Sequence, residues 1–299
     1  MTFLITGATG FIGKKLAHLL LARGDSVNYL GRERSPQLDS RVAYHPWNNV
    51  NEPPPLNSVP RLDAIVHLAG EPIAQRWTSA AKKRIYDSRV EGTRQLVTAI
   101  GTLRYKPAVL VSASAIGYYG DRGDETLVER SPWGVGFLPD VCKDWEREAL
   151  RAREFGLRVV TPRFATVLGR EGGALPRMLA PFRLGLGGKF GDGRQWMSWI
   201  HIDDLLRLLL FAIENQGVSG AINASSPRPV TNAEFTRTLA ATLRRPAVVP
   251  IPKVALKLAF GEMANLFFDS LRVLPQATEQ AGFRFERPKL AAALHSLLS

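Results

Sequence analysis

Residues 3–24 read FLITGATGFIGKKLAHLLLARG: an apolar run, a turn rich in glycine, then an amphipathic stretch. The run "FLIT" predicts a strand and residues 11–23 predict a helix, so Gly7, Gly10 and Gly13 fall in G-x-x-G-x-x-G spacing where one passes into the other. Early glycines let the backbone turn tightly and come close to a pyrophosphate. The start of the helix supplies free N–H groups and the positive end of its dipole. Gly13 lets the helix pack close to the strand. Glycine spacing alone also fits ordinary turns; a strand before it and a helix after it make it a signal for dinucleotide binding.

Working outward, "SVNYL" (26–30), "AIVHLA" (64–69), "AVLVSAS" (108–114) and "LRVVTPR" (157–163) read as further strands, with helical patterns at 11–23, 78–100 and 139–155 between them. The alternation predicts an α/β fold, a Rossmann-type doubly wound parallel sheet with helices on both faces. "NEPPPLNSVP" (51–60) is too proline-rich for a core element and reads as a surface connection. Past residue 165 glycine recurs at short intervals. A helix follows at 203–215, a strand at 221–225 and a final helix near 288–298. The organisation expected is a dinucleotide-binding domain over 1–225, with 166–198 contributing to a smaller substrate lobe completed by 226–299.

At 299 residues and 45% hydrophobic, the chain is long enough for a substantial core. No stretch has the roughly 18 unbroken apolar residues of a membrane span, and "MTFLITGATG" enters a strand with no basic leader, so no signal peptide is expected. The single Cys142 fits a reducing cytoplasm. Five histidines with no paired ligand spacing predict no metal site. A net charge of +12 admits nucleic acid, an anionic membrane or a phosphorylated ligand. The basic residues are dispersed and have no aromatic platform beside them. They therefore read first as a basic but ordinary surface, with a phosphate-rich ligand next and nucleic acid last, and the expected partner is a small molecule, anionic in one reading, rather than nucleic acid or a membrane.

The second strand bears on which dinucleotide is bound. A residue about 20 positions past the glycines normally meets the adenosine ribose, and an acid there would repel a 2′-phosphate. Here "NYLGRER" (28–34) offers Gly31, Arg32 and Arg34, and a guanidinium fork suits a phosphate dianion. NADP(H) is the expected cofactor, against the alternative of a solvated loop arginine.

These stretches resemble the extended short-chain dehydrogenase/reductase superfamily. "TGATGFIG" (6–13) is similar to its fingerprint, "VHLAG" (66–70) to its next cofactor-contacting strand end, "VSASAIGYYG" (111–120) to its serine-bearing strand, and "WIHIDDL" (199–205) to its late helix start. With "SRVEGT" (88–93), "PFRLGLGG" (181–188) and "TNAEF" (231–235), the chain resembles an atypical branch, the epimerase-family proteins, whose C-terminal piece resembles residues from about 249 onward. The resemblance implies an NADP-binding oxidoreductase or epimerase-like activity. It puts cofactor contacts at Thr6, Gly7, Thr9, Gly10, Phe11, Ile12, Gly13, Gly31, Arg32, Leu68, Ala69 and Gly70. It adds Arg89, where ordinary members carry asparagine, either reaching a phosphate or the nicotinamide side or forming a salt bridge on the helix surface.

The chemistry departs from the family pattern. The superfamily uses a tyrosine to move a proton, a lysine four residues later on the same helix face to lower its pKa and hold the nicotinamide ribose, and a serine to orient the substrate. Here Pro139 fills the tyrosine position and Lys143 follows without a partner. Ser114 or Ser112 is the candidate serine, and Tyr118 or Tyr119 a candidate phenol, unless both tyrosines simply pack. Lys143 is the remaining half of a catalytic pair, a cofactor ligand or a solvated lysine, and the cofactor-holding role is the one expected. Arg163, Lys189, Arg194 and His201 are candidates for an anionic-substrate site, and Asp203 and Asp204 read as helix N-terminal acids. The competing function is a non-catalytic module that binds NADPH and lacks the tyrosine.

Overall fold

The computed structural model describes residues 1–48, 52–247 and 249–299; Asn51 of the proline-rich connection and Val248 ahead of the C-terminal piece lie outside the described residues. Strand β1 (Thr2–Thr6) runs between β2 (Ser26–Gly31) and β4 (Ala64–His67). Strand β3 (Ala43–Pro46) edges the sheet beside β2. On the other side come β5 (Val109–Ser112), the Arg158–Phe164 strand and the Gly220–Ala224 strand. Residues Ser114–Ala115 extend the β5 path beside Arg163 and Phe164. Every pairing in this sheet is parallel, and chain order reverses between β1 and β4. Open α/β sheets bind ligands at that switch point, beyond the carboxyl ends of the strands.

Alternate side chains along each strand feed opposite faces. Phe3, Ile5, Val66, Val111 and Val160 join one core with α1 (Phe11–Ala22) and α5 (Ile202–Glu214). Leu4, Ile65, Leu110 and Val159 join another with α2 (Ser79–Thr102) and α3 (Phe137–Leu150). Burial on both faces explains why these strands read as continuous apolar runs. Between α3 and α5 lies the short α4 (Leu175–Arg183), whose Leu175, Leu179 and Phe182 enter the first core.

Three elements depart from the sequence reading. Strand β3 was not expected: its "AYHP" is half exposed and too polar to alternate. The third helical pattern ends at Leu150 and continues as a 3-10 turn over Arg151–Phe155. In the proline-rich connection Leu56 is buried in the second core, so that loop is partly anchored.

The C-terminal residues are tied back to the sheet. Helix α6 (Asn232–Leu243) packs Phe235 and Leu239 with Leu290 and Leu294 of the last helix, inside the core that also contains α5. Asp204, 1% exposed, accepts the backbone N–H groups of Glu286 and Arg287 at 2.8 Å each. Its carboxylate clamps the C-terminal segment, a role added to its expected place in the first turn of α5. Asp203 does sit in the first turn of α5, where its N–H is capped by His201 Nδ1 at 3.1 Å.

Candidate functional site

The glycine turn divides its labour by position. Gly7 has φ +70°, and a Cβ on it would lie 2.7 Å from the Leu68 carbonyl carbon. A Cβ on Gly13 would lie 2.4 Å from Gly7 O, so this glycine brings the helix against the turn itself rather than against the strand. Gly10 is different: exposed, with only Gly7 O within reach of a Cβ, at 3.3 Å. The space it leaves is open to the cleft. Gly10 caps α1 without a side-chain acceptor, no acid stands in the first turn, and the N–H groups of Phe11, Ile12 and Gly13 have no acceptor among the described residues. An uncapped helix start beside an open glycine suits an anion.

A buried relay sets the turn against β4. Thr6 Oγ1 accepts from the N–H groups of Leu68 and Ala69 at 3.2 Å, so its own hydrogen goes to His67 Nδ1 at 2.6 Å. His67 Nε2 then donates to Thr93 Oγ1 at 3.0 Å, and Thr93 donates to Arg89 O. The directions require a neutral ring. Burial and then Arg89 push the His67 pKa down to about 4, which keeps it so. Sequence reading treated His67 and Thr93 as unremarkable; their buried positions in an apolar strand and helix were the available signal.

Arg89 is buried, not on the helix surface. Its Nη1 donates to Glu71 O at 3.0 Å and Ile85 O at 3.3 Å, and its guanidinium lies 5.2 Å from the Trp145 ring. A Cβ on Gly70 would come within 3.1 Å of its Cζ, so Gly70 is the lid under which this fork lies flat. No carboxylate pairs with it among the described residues, and burial lowers its pKa. Arg32 is exposed at the end of β2 and has no hydrogen-bonded acceptor among them either. Gly31 beside it packs on the Tyr29 ring. Glu71 lies within the field of Arg32; its carboxylate is stabilised first by the Gln75 amide, then by Arg84 and Arg32, against burial. Thr9 lines a groove along α1, with Gly10 and Phe11 at its head. The Phe11 ring is held by Gly169 and Gly172, where any Cβ would lie 2.2 and 2.4 Å from it.

At the end of β5 the geometry is closed. Ser114, 2% exposed, donates to Glu146 Oε1 at 2.6 Å. Arg163 grips the same carboxylate through Nε and Nη2, at 2.8 Å each. Its Nη1 donates to Tyr119 Oη at 2.9 Å, and Tyr119 donates to Asn223 Oδ1 at 2.7 Å. Burial works against the Arg163 charge, and the Glu146 carboxylate more than offsets it. Burial also pushes the Tyr119 phenol up to about 12. Arg163 therefore does not line an anionic-substrate site: its fork is spent inside the protein. Of the other loop candidates, His201 is buried as a cap, Arg194 is exposed beside Asp192 at 3.9 Å, and Lys189 is exposed.

Tyr118 is the phenol left over. It is half-buried, its ring lies 3.4 Å from the Arg163 Cζ, and its hydroxyl has no carboxylate or carbonyl acceptor among the described residues. Burial raises its pKa and Arg163 opposes that rise. Pro139 is buried in the first turn of α3 against Gly120. Lys143, half-buried one turn later, has no carboxylate partner among the described residues and lies 5.1 Å from the Trp133 ring. Ser112 is fully buried with an unpaired Oγ. Glu146, three residues past Lys143, was missed by sequence reading. A glutamate on the apolar face of α3 and an arginine inside an apolar strand were a matched pair of signals.

Comparisons with known proteins agree with this architecture along the whole chain. A profile described as the NAD dependent epimerase/dehydratase family matches residues 3–225, and a domain of unknown function, DUF1731, matches 251–297. An epimerase family protein of Staphylococcus haemolyticus is 38% identical over 297 residues, 99% of this chain and 98% of its own length. A chloroplastic Arabidopsis thaliana epimerase family protein is also 38% identical, over 100% of this chain and 87% of its own. The crystal structure of human epimerase family protein SDR39U1 (isoform 2) with NADPH superposes with a TM-score of 0.89 at 36% identity, covering 99% of both chains.

Proposed function

The chain belongs to the NAD dependent epimerase/dehydratase family, and on that premise we propose that it is an NADP(H)-binding oxidoreductase or epimerase-like enzyme acting on a small molecule. The observation that carries the cofactor reading is the set of donors at the β1 end without an acceptor among the described residues: the α1 N–H groups beside open Gly10, and the Arg32 fork. They fit a pyrophosphate and a 2′-phosphate respectively. A human relative crystallised with NADPH supports the same choice.

On this reading Thr6 to Gly13, Gly31, Arg32 and Leu68 to Gly70 hold the nucleotide, and Arg89 reaches its nicotinamide side. When bound, the cofactor supplies hydride transfer. Lys143 would hold the ribose hydroxyls. Tyr118 is the phenol able to give a hydrogen to a substrate oxygen, because Tyr119 and Ser114 have committed theirs. Ser114, with its hydrogen on Glu146, is left to accept a hydrogen bond. The domain reading is 1–225 for the nucleotide, with 166–198 and 226–299 shaping the substrate side. The cytoplasm is the compartment proposed, resting on the lone buried Cys142.

A second reading, a non-catalytic NADPH-binding module, is favoured by Pro139 and by that same commitment of Ser114. Titration of NADPH and NADH against the wild type and Arg32→Ala tests the cofactor assignment. NADPH should bind more tightly, and Arg32→Ala should cost about 1.5–3 kcal/mol, roughly ten- to a hundredfold, for NADPH alone. Equal affinities in the wild type would refute it.

A further inference from the structure

One dinucleotide does not account for a charge of +12. Residues 172–191 and 235–261 contain no Asp or Glu. Within them Arg183, Lys189, Arg237, Arg244, Arg245 and Lys257 are all exposed, and none pairs with a carboxylate among the described residues. The two stretches lie side by side. Ile251 N donates to Lys189 O at 2.8 Å and Gly191 N to Ile251 O at 3.0 Å. A Cβ on Gly185 would come 3.8 Å from Pro246 Cγ.

The same region carries apolar side chains in water. Leu184, Leu186, Val249, Val254 and Leu258 are between 56 and 75% exposed. Val254 and Leu258 stand one turn apart on helix α7 (Lys253–Phe260), where only Leu256 is buried. Lys189 and Arg237 flank a cavity of about 310 Å³ floored by Ala233, Ala240 and Ala247. Exposed apolar clusters on this scale mark an interaction surface.

The charge selects among occupants. A second copy across a twofold axis would bring the same cations face to face. Nucleic acid asks for stacking aromatics along a basic track; here the exposed apolar side chains are aliphatic except Phe260, whose ring packs against Phe267 at 5.6 Å. Phosphate anions lying above hydrocarbon meet both requirements. Against the expectation of no membrane partner, we propose that this face docks on the anionic surface of a phospholipid bilayer. Leu184, Leu186, Val254 and Leu258 enter the acyl boundary, and the basic side chains meet headgroup phosphates. The contact is peripheral, since no helix among the described residues is long and apolar enough to cross a membrane. Lys253 takes no part: it leans over Phe268 at 5.1 Å, beside Asp269.

The test is co-sedimentation of the full chain with vesicles of phosphatidylcholine alone or mixed with phosphatidylglycerol. Binding is expected only to the mixed vesicles, with release at high salt. Leu186→Ser with Leu258→Ser should weaken it. Arg245→Glu with Lys257→Glu, both at exposed positions without a carboxylate partner among the described residues, should weaken it about thirtyfold or more. Equal binding to both vesicles, no binding to either, or wild-type binding by the charge-reversed variant overturns the proposal. A concentration-dependent dimer broken by the leucine variant also overturns it and assigns the face to a second copy.

Discussion

The two ends of the cleft floor handle polar groups in opposite ways. At the β1 end, three helix N–H groups have no acceptor among the described residues, and neither the Arg32 nor the Arg89 fork pairs with a carboxylate among them. At the β5 end, Ser114, Glu146, Arg163, Tyr119 and Asn223 satisfy one another in a closed chain. Open donors next to an uncapped helix are costly unless a ligand completes them. A closed buried network needs no ligand and resists rearrangement. The first end is built to be finished by something that binds. The second is a wall, and the pattern inherited from the superfamily survives there only in part.

The sharpest way to break this contrast is at the wall. Glu146→Ala removes the carboxylate from a guanidinium that is 3% exposed in the folded chain. Removing one partner of a buried pair leaves an uncompensated charge, at a cost of about 3–5 kcal/mol. Urea unfolding of Glu146→Ala should show that loss, and Glu146→Gln a smaller one. A stability change below about 1 kcal/mol would mean that water reaches Arg163 and the wall is open.

Next in size is Gly10→Val. Because a Cβ here meets only Gly7 O, at 3.3 Å, the variant should fold, while its branched side chain fills the space above the α1 N–H groups. NADPH affinity should fall below detection with the circular dichroism unchanged. The neighbouring Gly13→Ala should instead lose stability, since its Cβ would press within 2.4 Å of Gly7 O. If both variants behave alike, the two glycines do not have the separate roles assigned to them.

The contrast also explains what was legible in the sequence. The sheet, its order of strands and helices, and the glycine turn follow from local pattern: apolar runs, periodicity, and glycines where backbone must touch backbone. Strand β3 escaped because an exposed edge strand need not alternate. The Ser114–Glu146–Arg163 network joins residues 32 and 17 positions apart, so no local window holds it. What each residue alone shows is a charge in an apolar context, which reads as a surface residue until its partner is found. Arg163, a candidate for an anionic-substrate site, is instead spent on Glu146, and Arg89, read in one alternative as a surface residue, is buried between Gly70 and Trp145.

Lys143 carries the smallest expected effect and tests whether the wall still serves the open end. It stands between the two: on α3 with Glu146, yet half-exposed, without a carboxylate, and 5.1 Å from a Trp133 ring that is itself half in water. An exposed cation–π contact of this kind contributes about 0.5–1 kcal/mol, weak enough to be exchanged for ribose hydroxyls when a nucleotide binds. Lys143→Met keeps the stem and removes the charge. It should weaken NADPH by about 1 kcal/mol and leave folding nearly unchanged. Trp133→Ala separates the alternatives: if the ring merely parks the lysine, its loss should leave NADPH affinity equal or slightly tighter. If Lys143→Met leaves affinity untouched, the lysine belongs to Trp133 and the surface, and the cofactor is held from the β1 end alone. If turnover of a substrate collapses in Lys143→Met at saturating NADPH, the lysine still serves a proton transfer, and Tyr118→Phe should reproduce the loss.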